Sequence, residues 1–170
     1  MEIRHIESRD RAGLGRFLER IPDADRTFFK EEPRTSHDWM RPGPARTIAV
    51  EDGEVVGWLA VVAKPGWSSH VGEVRLIVDP AHRGRGIGRT LARRAVLEAL
   101  ELGLEKMVVE VIAVQEATIA MFRSLGFDPE ALLTDHVRDR SDDLRDLLVL
   151  SHSVQEQWSA MIMAGIADDV

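Results

Sequence analysis

Apolar residues recur along the chain with two different spacings, and these spacings predict a domain that combines strands with helices. Short apolar runs rich in valine and isoleucine predict strands, whereas apolar residues spaced three or four apart predict helices. The predicted strands cover residues 3–6, 47–50, 55–63, 71–78, 106–114, 132–139 and 144–152. The predicted helices cover residues 10–21, 23–32, 87–102, 115–125 and 154–166.

Turn signals separate these elements and show no break between two domains. An Asp-Gly pair at residues 52–53 predicts a hairpin turn, and residues 33–44, rich in proline and arginine, predict a loop. A chain of 170 residues is long enough for one domain with a sizeable core. We expect residues 1–152 to form this domain and residues 153–170 to add a helical extension packed on it.

The stretch from residue 73 to residue 102 is the most informative part of the chain. Its strand ends at Asp79-Pro80, because proline has no N–H to donate to a sheet. The turn that follows reads RGRGIG over residues 83–88 and leads directly into a helix. The first backbone N–H groups of a helix lack an internal partner, and glycine lets the backbone approach an anion closely. These features together predict a phosphate-binding loop.

Charge strengthens this prediction, while the two common phosphate loops fit the residues poorly. The net charge of the chain is −7, yet residues 80–97 contain five arginines and no acidic residue. A P-loop needs lysine and then serine or threonine after its last glycine, whereas Arg89-Thr90 follows Gly88. A Rossmann fingerprint starting at Gly84 needs glycine or alanine where Arg89 stands. A glycine-rich turn that only caps a helix is the remaining structural explanation.

The pattern Arg-x-x-Gly-x-Gly, formed by Arg83, Gly86 and Gly88 after Val78-x-Pro80, resembles the pyrophosphate-binding motif of the GCN5-related N-acetyltransferase (GNAT) superfamily. The resemblance implies an α/β domain of the α+β type. Its central sheet would be mixed but mostly antiparallel, with about seven strands flanked by helices, and the C-terminal helix would be an addition. The resemblance also implies an N-acetyltransferase that uses acetyl-CoA as co-substrate and a primary amine as acceptor. We expect direct attack by the amine, because the chain has no cysteine to carry an acetyl group.

The resemblance also implies where the cofactor lies. In this family the pantetheine arm runs beside the strand that corresponds to residues 74–78, where it separates from the strand expected at residues 107–112. The implied cofactor contacts are Leu76, Ile77, Val78, Arg83, Gly84, Arg85, Gly86, Ile87, Gly88, Arg89, Thr90, Gln115, Thr118 and Phe122.

Residues 115–127 resemble a second pattern of the family, Asn-x-x-Ala-x-x-x-Tyr-x-x-x-Gly-Phe, with two departures that matter. Gln115 stands at the asparagine that contacts pantetheine, and it could still form a hydrogen bond. Phe122 stands at the tyrosine that often protonates the leaving thiolate, and phenylalanine has no proton to give. The chain contains no tyrosine at all, so we expect water, or no dedicated acid, at this step. We expect Phe122 to be a core residue that also presents an apolar wall to the cofactor.

Two glutamates are candidates for the base that deprotonates the acceptor ammonium. Glu73 is the first, because many members of the family place a carboxylate at the start of this strand, within reach of the amine or one water away. Glu110 is the second, because an acidic residue within an apolar strand needs a partner or a wet cleft. Strand alternation puts Val108 and Ile112 on its face, where no partner is obvious. Each glutamate could instead be a solvated or salt-bridged surface residue.

The acceptor site is predicted only by location. Its expected walls are Trp39, Trp58 and Trp67, in the N-terminal loop, the third strand and the turn at residues 64–69. Its expected anionic groups are Asp38, Asp135 and Asp139. His82 lies where it could touch a phosphate, and no spacing of histidines and carboxylates indicates a metal site.

Composition limits the classes of binding partner that we expect, and two alternative functions stay open. Apolar residues 58–63 are too few to span a bilayer, and the N-terminus lacks the apolar core of a signal peptide, so we expect a cytoplasmic protein without membrane contact. The negative net charge argues against nucleic-acid binding. The expected partners are acetyl-CoA, a small-molecule or peptide amine and, through the last helix or strands, a second copy. The alternatives are a non-catalytic protein of this fold that binds or senses acyl-CoA, and a nucleotide-binding protein that uses the same loop.

Overall fold

A computed structural model of the protein describes residues 1–23, 25–28 and 38–163, and shows a seven-stranded mixed sheet with helices on both faces. The strands are β1 (Glu2–His5), β2 (Arg46–Glu51), β3 (Glu54–Ala63), β4 (Val71–Val78), β5 (Lys106–Ile112), β6 (Asp128–Arg138) and β7 (Leu144–Ser153). The α-helices are α1 (Arg11–Arg20), α2 (Ile87–Glu101), α3 (Glu116–Ser124) and α4 (Val154–Met163). This architecture confirms the predicted fold class.

The strand order is β1-β2-β3-β4-β5-β7-β6, and β4–β5 is the one parallel pair that the described residues form. A parallel pair needs a long crossover, which α2 supplies. The pairing joins only residues 71–73 of β4 to residues 106–108 of β5. Beyond this point β4 continues to Val78 with β3 as its partner, and β5 turns away from it. The sheet therefore opens between its two central strands.

Two apolar cores occupy the two faces of the sheet. Phe17 of α1 packs with Trp58 on one face, and Leu91 of α2 packs with Leu59 on the other. In β4, Ile77 joins the α1 core and its neighbours join the α2 core, as strand alternation requires. The same alternation places Glu73, Arg75 and Glu110 on the α1 face, because Val74, Val109 and Val111 belong to the α2 core. Both candidate bases thus lie on one face.

Most predicted elements are found within two residues of their predicted limits, and β4 has the predicted limits. The prediction for β6 was wrong at its start, because the strand begins at Asp128 and not at residue 132. Ten of its eleven residues are exposed and the other is half-buried, so no apolar alternation marks it. The helix predicted at residues 23–32 is a 3-10 turn over Asp25–Phe28, residue 23 is a turn residue outside it, and positions 24 and 29–32 lie outside the described residues.

The C-terminal helix packs on the same side of the sheet as α2. Its first residue, Val154, is fully buried in the α2 core. The division into residues 1–152 and an extension stays a prediction, and residues 164–170 lie outside the described part. Among the described helices, none is both long and apolar enough to cross a membrane.

Candidate active site

The opening between β4 and β5 forms a cleft of about 800 Å³. Residues 74–78 of β4 and residues 109–111 of β5 form its two sides. The start of α2 closes one end, and residues 115–118 at the start of α3 lie beside it. The cleft therefore joins a helix N-terminus to the middle of the sheet.

The glycine-rich loop has the backbone shape that an anion site requires. Gly84 and Gly86 have φ angles of 75° and 83°, which favour glycine, although a Cβ atom would meet nothing within 4 Å at either position. Gly86 is the N-cap of α2 and has no side chain with which to cap it. Gly88 is glycine for lack of space, because a Cβ atom there would lie 3.3 Å from the sulfur of Met121. The first N–H groups of α2 are thus left to a ligand.

Three arginines of the loop region differ in where they point. Arg83 lines the cleft and its Nη2 lies 2.8 Å from Oδ2 of Asp25, which also lines the cleft. Arg89 lines the cleft and donates to Oγ of Ser124 at 2.9 Å. Arg85 turns away and donates two hydrogen bonds, of 2.7 and 2.9 Å, to the carboxylate of Glu51 on β2.

Most of the predicted cofactor contacts meet in the cleft. Arg85 and Thr90 are the two that do not line it among the described residues, and the Thr90 hydroxyl donates to the Gly86 carbonyl at 3.2 Å. The predicted contacts that line it are Leu76, Ile77, Val78, Arg83, Gly84, Gly86, Ile87, Gly88, Arg89, Gln115, Thr118 and Phe122. His82 lines it as well.

The two family positions with unusual residues both face the cleft. Phe122 is 1% exposed, packs edge-on against Phe127 with ring centroids 5.2 Å apart, and lines the cleft with its remaining surface. This is the placement that the sequence predicts. Gln115 precedes α3, and its Oε1 accepts the N–H of Ile112 at 3.3 Å. No ionisable hydroxyl takes the place of the tyrosine, because the chain has none.

The two candidate bases differ in their relation to the cleft. Glu110 lines it, whereas Glu73, in the part of the chain that the structure describes, does not. Glu73 is 8% exposed, and its Oε1 accepts from Nε of Arg75 at 2.8 Å. Glu110 has Nζ of Lys64 at 3.9 Å from its Oε1. Its strand face offered no obvious partner, and the structure supplies one from outside β5, from the residue that follows β3.

Two of the three predicted tryptophan walls are present. Trp39 and Trp58 line the cleft, meet edge-to-face at 6.1 Å, and are joined by a hydrogen bond from the Trp58 indole to the Trp39 carbonyl at 3.0 Å. Trp67 is 98% exposed in the 3-10 turn Gly66–Ser68 and is not among the described residues of the cleft wall.

Two of the three predicted anionic groups, Asp135 and Asp139, are not among the described residues of the cleft wall. Asp139 closes the turn after β6, where it accepts from Arg145 at 2.8 Å and from two backbone N–H groups. The bond from Arg145 holds the pKa of Asp139 below its usual value. The Asp135 N–H donates to Asp146 at 2.9 Å, and its side chain is outside the cleft wall that the structure describes. The side chain of Asp38 lies outside the described residues.

Sequence reasoning missed three charged residues of the cleft, Asp25, Arg75 and Glu116. Arg75 had the same signal as Glu110, because each is a charged residue inside an apolar strand. Strand alternation from Glu73 would have placed Arg75 on the same face as Glu73. Asp25 had no local signal, because its contact with Arg83 joins residues 58 positions apart.

A second polar cluster lies outside the cleft, at the other end of α2. His5, Glu98 and Glu101 bring ligand-type atoms within 4.8 Å of one another. Oε1 of Glu98 already receives the Thr47 hydroxyl and Nε of Arg94, each at 2.8 Å. We therefore interpret this cluster as part of the framework that holds β1 and β2 to α2.

Comparisons with known proteins agree with this geometry. Residues 11–127 match the acetyltransferase (GNAT) family. The chain is 26% identical over 135 residues to the uncharacterized N-acetyltransferase YjgM of Escherichia coli, covering 74% of this chain and 81% of that protein. It is 27% identical over 136 residues to the L-amino acid N-acetyltransferase AaaT of Escherichia coli, covering 75% and 83%.

A solved structure supports the same fold and contains the cofactor. The chain aligns with yncA of Salmonella typhimurium, solved with its cofactor acetyl-CoA, at a TM-score of 0.70 and 21% identity, covering 90% of this chain and 93% of that one. These findings favour catalysis over sensing, and acetyl-CoA over another nucleotide. The family match covers more than half of the chain, which therefore belongs to the acetyltransferase (GNAT) family and is an acetyl-CoA-dependent N-acetyltransferase.

Proposed function

We propose that a primary amine enters the cleft from the α1 face and attacks the thioester carbonyl of acetyl-CoA directly. One observation carries this proposal: beyond its pairing with β5, the edge of β4 leads to the glycine-rich loop, and Glu110 of β5 lies in the facing wall of the same cleft. Four residue steps separate Val74 from Val78, which is about 13 Å along a strand. The pyrophosphate would bind at residues 83–88, and the pantetheine arm would extend along this edge towards the middle of the sheet.

The proton of the acceptor ammonium would pass to a glutamate. Glu110 is the base that the geometry favours, because it lines the cleft. Glu73 is the second candidate, since it lies on the same face but is engaged by Arg75 at 2.8 Å. A base must come within hydrogen-bond reach of the amine, directly or through one water, which both positions on this face permit.

The thiolate would leave without a dedicated acid. As the N–C bond forms and the C–S bond breaks, the amine proton goes to the glutamate and the thiolate takes a proton from solvent. Phe122 offers no proton, and the thiol of coenzyme A has a pKa near that of cysteine, about 8.5, so the thiolate is a moderately good leaving group.

The proposed acceptor is a small-molecule or peptide amine. Trp39 and Trp58 provide an apolar wall, while Glu110 and Arg75 bring both signs of charge to the cleft. This combination suits an acceptor with an ammonium and a carboxylate. The name of AaaT, an L-amino acid N-acetyltransferase, makes L-amino acids the first acceptors to test.

Two measurements test this function. Calorimetric titration with acetyl-CoA, against coenzyme A, ATP and NAD, should show selective binding of acetyl-CoA and coenzyme A. Release of free thiol should then depend on an added L-amino acid. Glu110→Gln should lower kcat at least 100-fold with the affinity for acetyl-CoA unchanged, within the range for loss of a general base. If Glu73→Gln shows that loss and Glu110→Gln does not, Glu73 is the base.

The predicted homodimer has support in the last two strands. β6 is an edge strand, and the exposed residues near its middle and at the start of β7 include Leu132, Leu133 and Leu144. An edge strand with exposed leucines is a surface that a second copy could cover. Sedimentation of the protein and of a Leu132→Lys variant would test this. The cytoplasmic location stays a prediction, which cell fractionation would test.

A further inference from the structure

Lys64 is not itself among the described residues that line the cleft, but it places a primary amine beside one that does. Its Nζ lies 3.9 Å from Oε1 of Glu110, and Glu110 lines the cleft. The backbone of Lys64 is fixed, because its N–H donates to the Val71 carbonyl at 2.9 Å beside the start of β4. Its side chain is 38% exposed. The amine is therefore anchored near the point where β4 and β5 separate.

The amine retains the freedom that a nucleophile needs. A distance of 3.9 Å exceeds a hydrogen bond, so the Lys64–Glu110 pair is an electrostatic contact. Lysine carries its charge on a flexible four-carbon stem, so Nζ can shift while its backbone stays in place. A glutamate beside the amine can also accept its proton.

We infer that Lys64 is an acetylation site of the enzyme itself, modified by acetyl-CoA bound in the same cleft. This inference rests on the proposed function. In the step, the Nζ ammonium loses one proton to Glu110, and the resulting amine attacks the thioester carbonyl to form the N–C bond. As the C–S bond breaks, the nitrogen gives its second proton to solvent, and coenzyme A leaves as a thiolate that solvent protonates. The product is a neutral amide, which removes the positive charge beside Glu110.

The composition of the chain makes this modification easy to locate. The sequence has three lysines, Lys30, Lys64 and Lys106. Lys106 is a matched control, because its side chain is 37% exposed and it also pairs with a carboxylate, Glu130, at 2.7 Å. Neither Lys64 nor Lys106 is among the described residues that line the cleft, but the partner of Lys64, Glu110, lines it, and the partner of Lys106 does not. A difference between Lys64 and Lys106 therefore reports the cleft and not exposure.

The experiment is incubation of the purified protein with acetyl-CoA, followed by intact-mass measurement and peptide mapping. We expect Lys64 to be acetylated at least tenfold faster than Lys106, at a rate per chain that does not depend on protein concentration. Lys64→Arg should remove this label, and Lys106→Arg should keep it. Gly86→Asp, which blocks the phosphate-binding loop, should lower it at least tenfold.

Each of the following results would overturn the inference. Equal labelling of Lys64 and Lys106, or equal labelling of Lys64 in wild type and Gly86→Asp, would show chemical acetylation by the reagent. A rate that rises with protein concentration would show transfer between chains. Thiol release is measured in the same samples with an equimolar mixture of L-amino acids. Turnover without labelled Lys64 overturns this inference alone, whereas no binding of acetyl-CoA overturns the proposed function as well.

Discussion

Two glutamates, Glu98 in α2 and Glu110 in β5, interrupt apolar patterns, and their surroundings differ in kind. Glu98 is completely buried, and its Oε1 accepts hydrogen bonds from Thr47, Arg94 and His5 at 2.8 to 2.9 Å. Glu110 is half-buried, faces a cleft, and has an ammonium at 3.9 Å. A charge that is fully enclosed by partners holds elements together, whereas a charge at a cleft can exchange protons with a ligand.

The pKa of Glu98 shows how its site is built. Burial alone would raise this pKa, because it disfavours the charged form. The hydrogen bonds from Arg94, Thr47 and His5 outweigh burial and hold the pKa of Glu98 below its ordinary value. The hydrogen bonds from its neighbours therefore offset the free-energy cost of burying this charge, and the carboxylate stays ionised at neutral pH.

The largest expected effect is on stability, from Glu98→Ala. The change leaves the half-buried Arg94 and the buried Thr47 hydroxyl without their carboxylate, so we expect the free energy of unfolding to fall by about 3–5 kcal/mol. Urea unfolding followed by circular dichroism measures it. Glu110→Gln is the matched control and should change stability by less than about 1 kcal/mol. Equal losses in the two variants would remove the distinction between the sites. If the alanine variant does not fold, Glu98→Gln, which keeps an acceptor oxygen, replaces it.

The contribution of Glu98 should also depend on pH. Because the folded pKa of Glu98 lies below the ordinary glutamate value of 4.5, its stabilisation is complete above about pH 4.5 and is lost as pH falls through the folded pKa. Ordinary carboxylates are ionised above about pH 5. The difference in unfolding free energy between wild type and Glu98→Gln should therefore be constant from about pH 6 to about pH 5 and should shrink at lower pH. A difference that grows on acidification would contradict the assigned direction.

The next effect is on cofactor binding, from Gly86→Asp. The aspartate adds a carboxylate at the predicted pyrophosphate position, and we expect the affinity for acetyl-CoA to fall at least about 100-fold, or about 2.7 kcal/mol. Gly53→Asp is the control, because Gly53 has a φ of 80° and equal space but lies in the β2–β3 turn. It carries the same backbone strain without the ligand. Calorimetry that gives near-native affinity for Gly86→Asp would refute the phosphate-binding loop.

A smaller effect is expected from Asp25→Asn. The Asp25 carboxylate holds Arg83 at 2.8 Å and would compete with pyrophosphate for it. Pairs of this exposure are worth about 0.2–1 kcal/mol, so affinity for acetyl-CoA should rise by no more than about fivefold. Glu51→Gln releases Arg85, which lies outside the described cleft wall, and should leave affinity unchanged. Weaker binding by Asp25→Asn would mean that Asp25 orients Arg83 for the phosphate.

The smallest effect is expected from Phe122→Tyr. This change restores the hydroxyl that the family often has, but a thiolate with a pKa of about 8.5 leaves without full protonation. We expect kcat to change by less than about threefold, with melting temperature measured in parallel because a buried hydroxyl can destabilise. A tenfold rise in kcat would show that protonation of the thiolate limits the rate of this enzyme.

The parts of the molecule that were predicted well carry local signals. β4 and the start of α2 are marked by an apolar run, a proline and glycines within 18 residues, so the phosphate-binding loop could be located without a structure. The fold class followed from the resemblance that these residues carry. Glu110 was singled out for the same local reason, as a charge between valines.

The parts that were missed depend on contacts between distant positions. His5 meets Glu98 across 93 positions, and each residue alone looks like an ordinary polar residue. Lys64 reaches Glu110 across β4, which strand alternation within β5 cannot reveal. β6 lacked a pattern because nearly all of its side chains face solvent. In each case the sheet order, and not the local sequence, determines the contact.

The short parallel pairing of β4 and β5 has a further consequence for the resistance of the chain to proteolysis. Beyond Glu73, the backbone groups of β4 that point away from β3 have no strand beside them among the described residues, so their amide hydrogens should exchange with solvent until a donor molecule covers them. Any ligand that binds only the folded chain stabilises it, by about 2.7 kcal/mol at 100 times its dissociation constant. The concentration of acetyl-CoA would then determine how fast the protein is degraded by proteolysis. The amount of the enzyme would therefore follow the concentration of its own co-substrate.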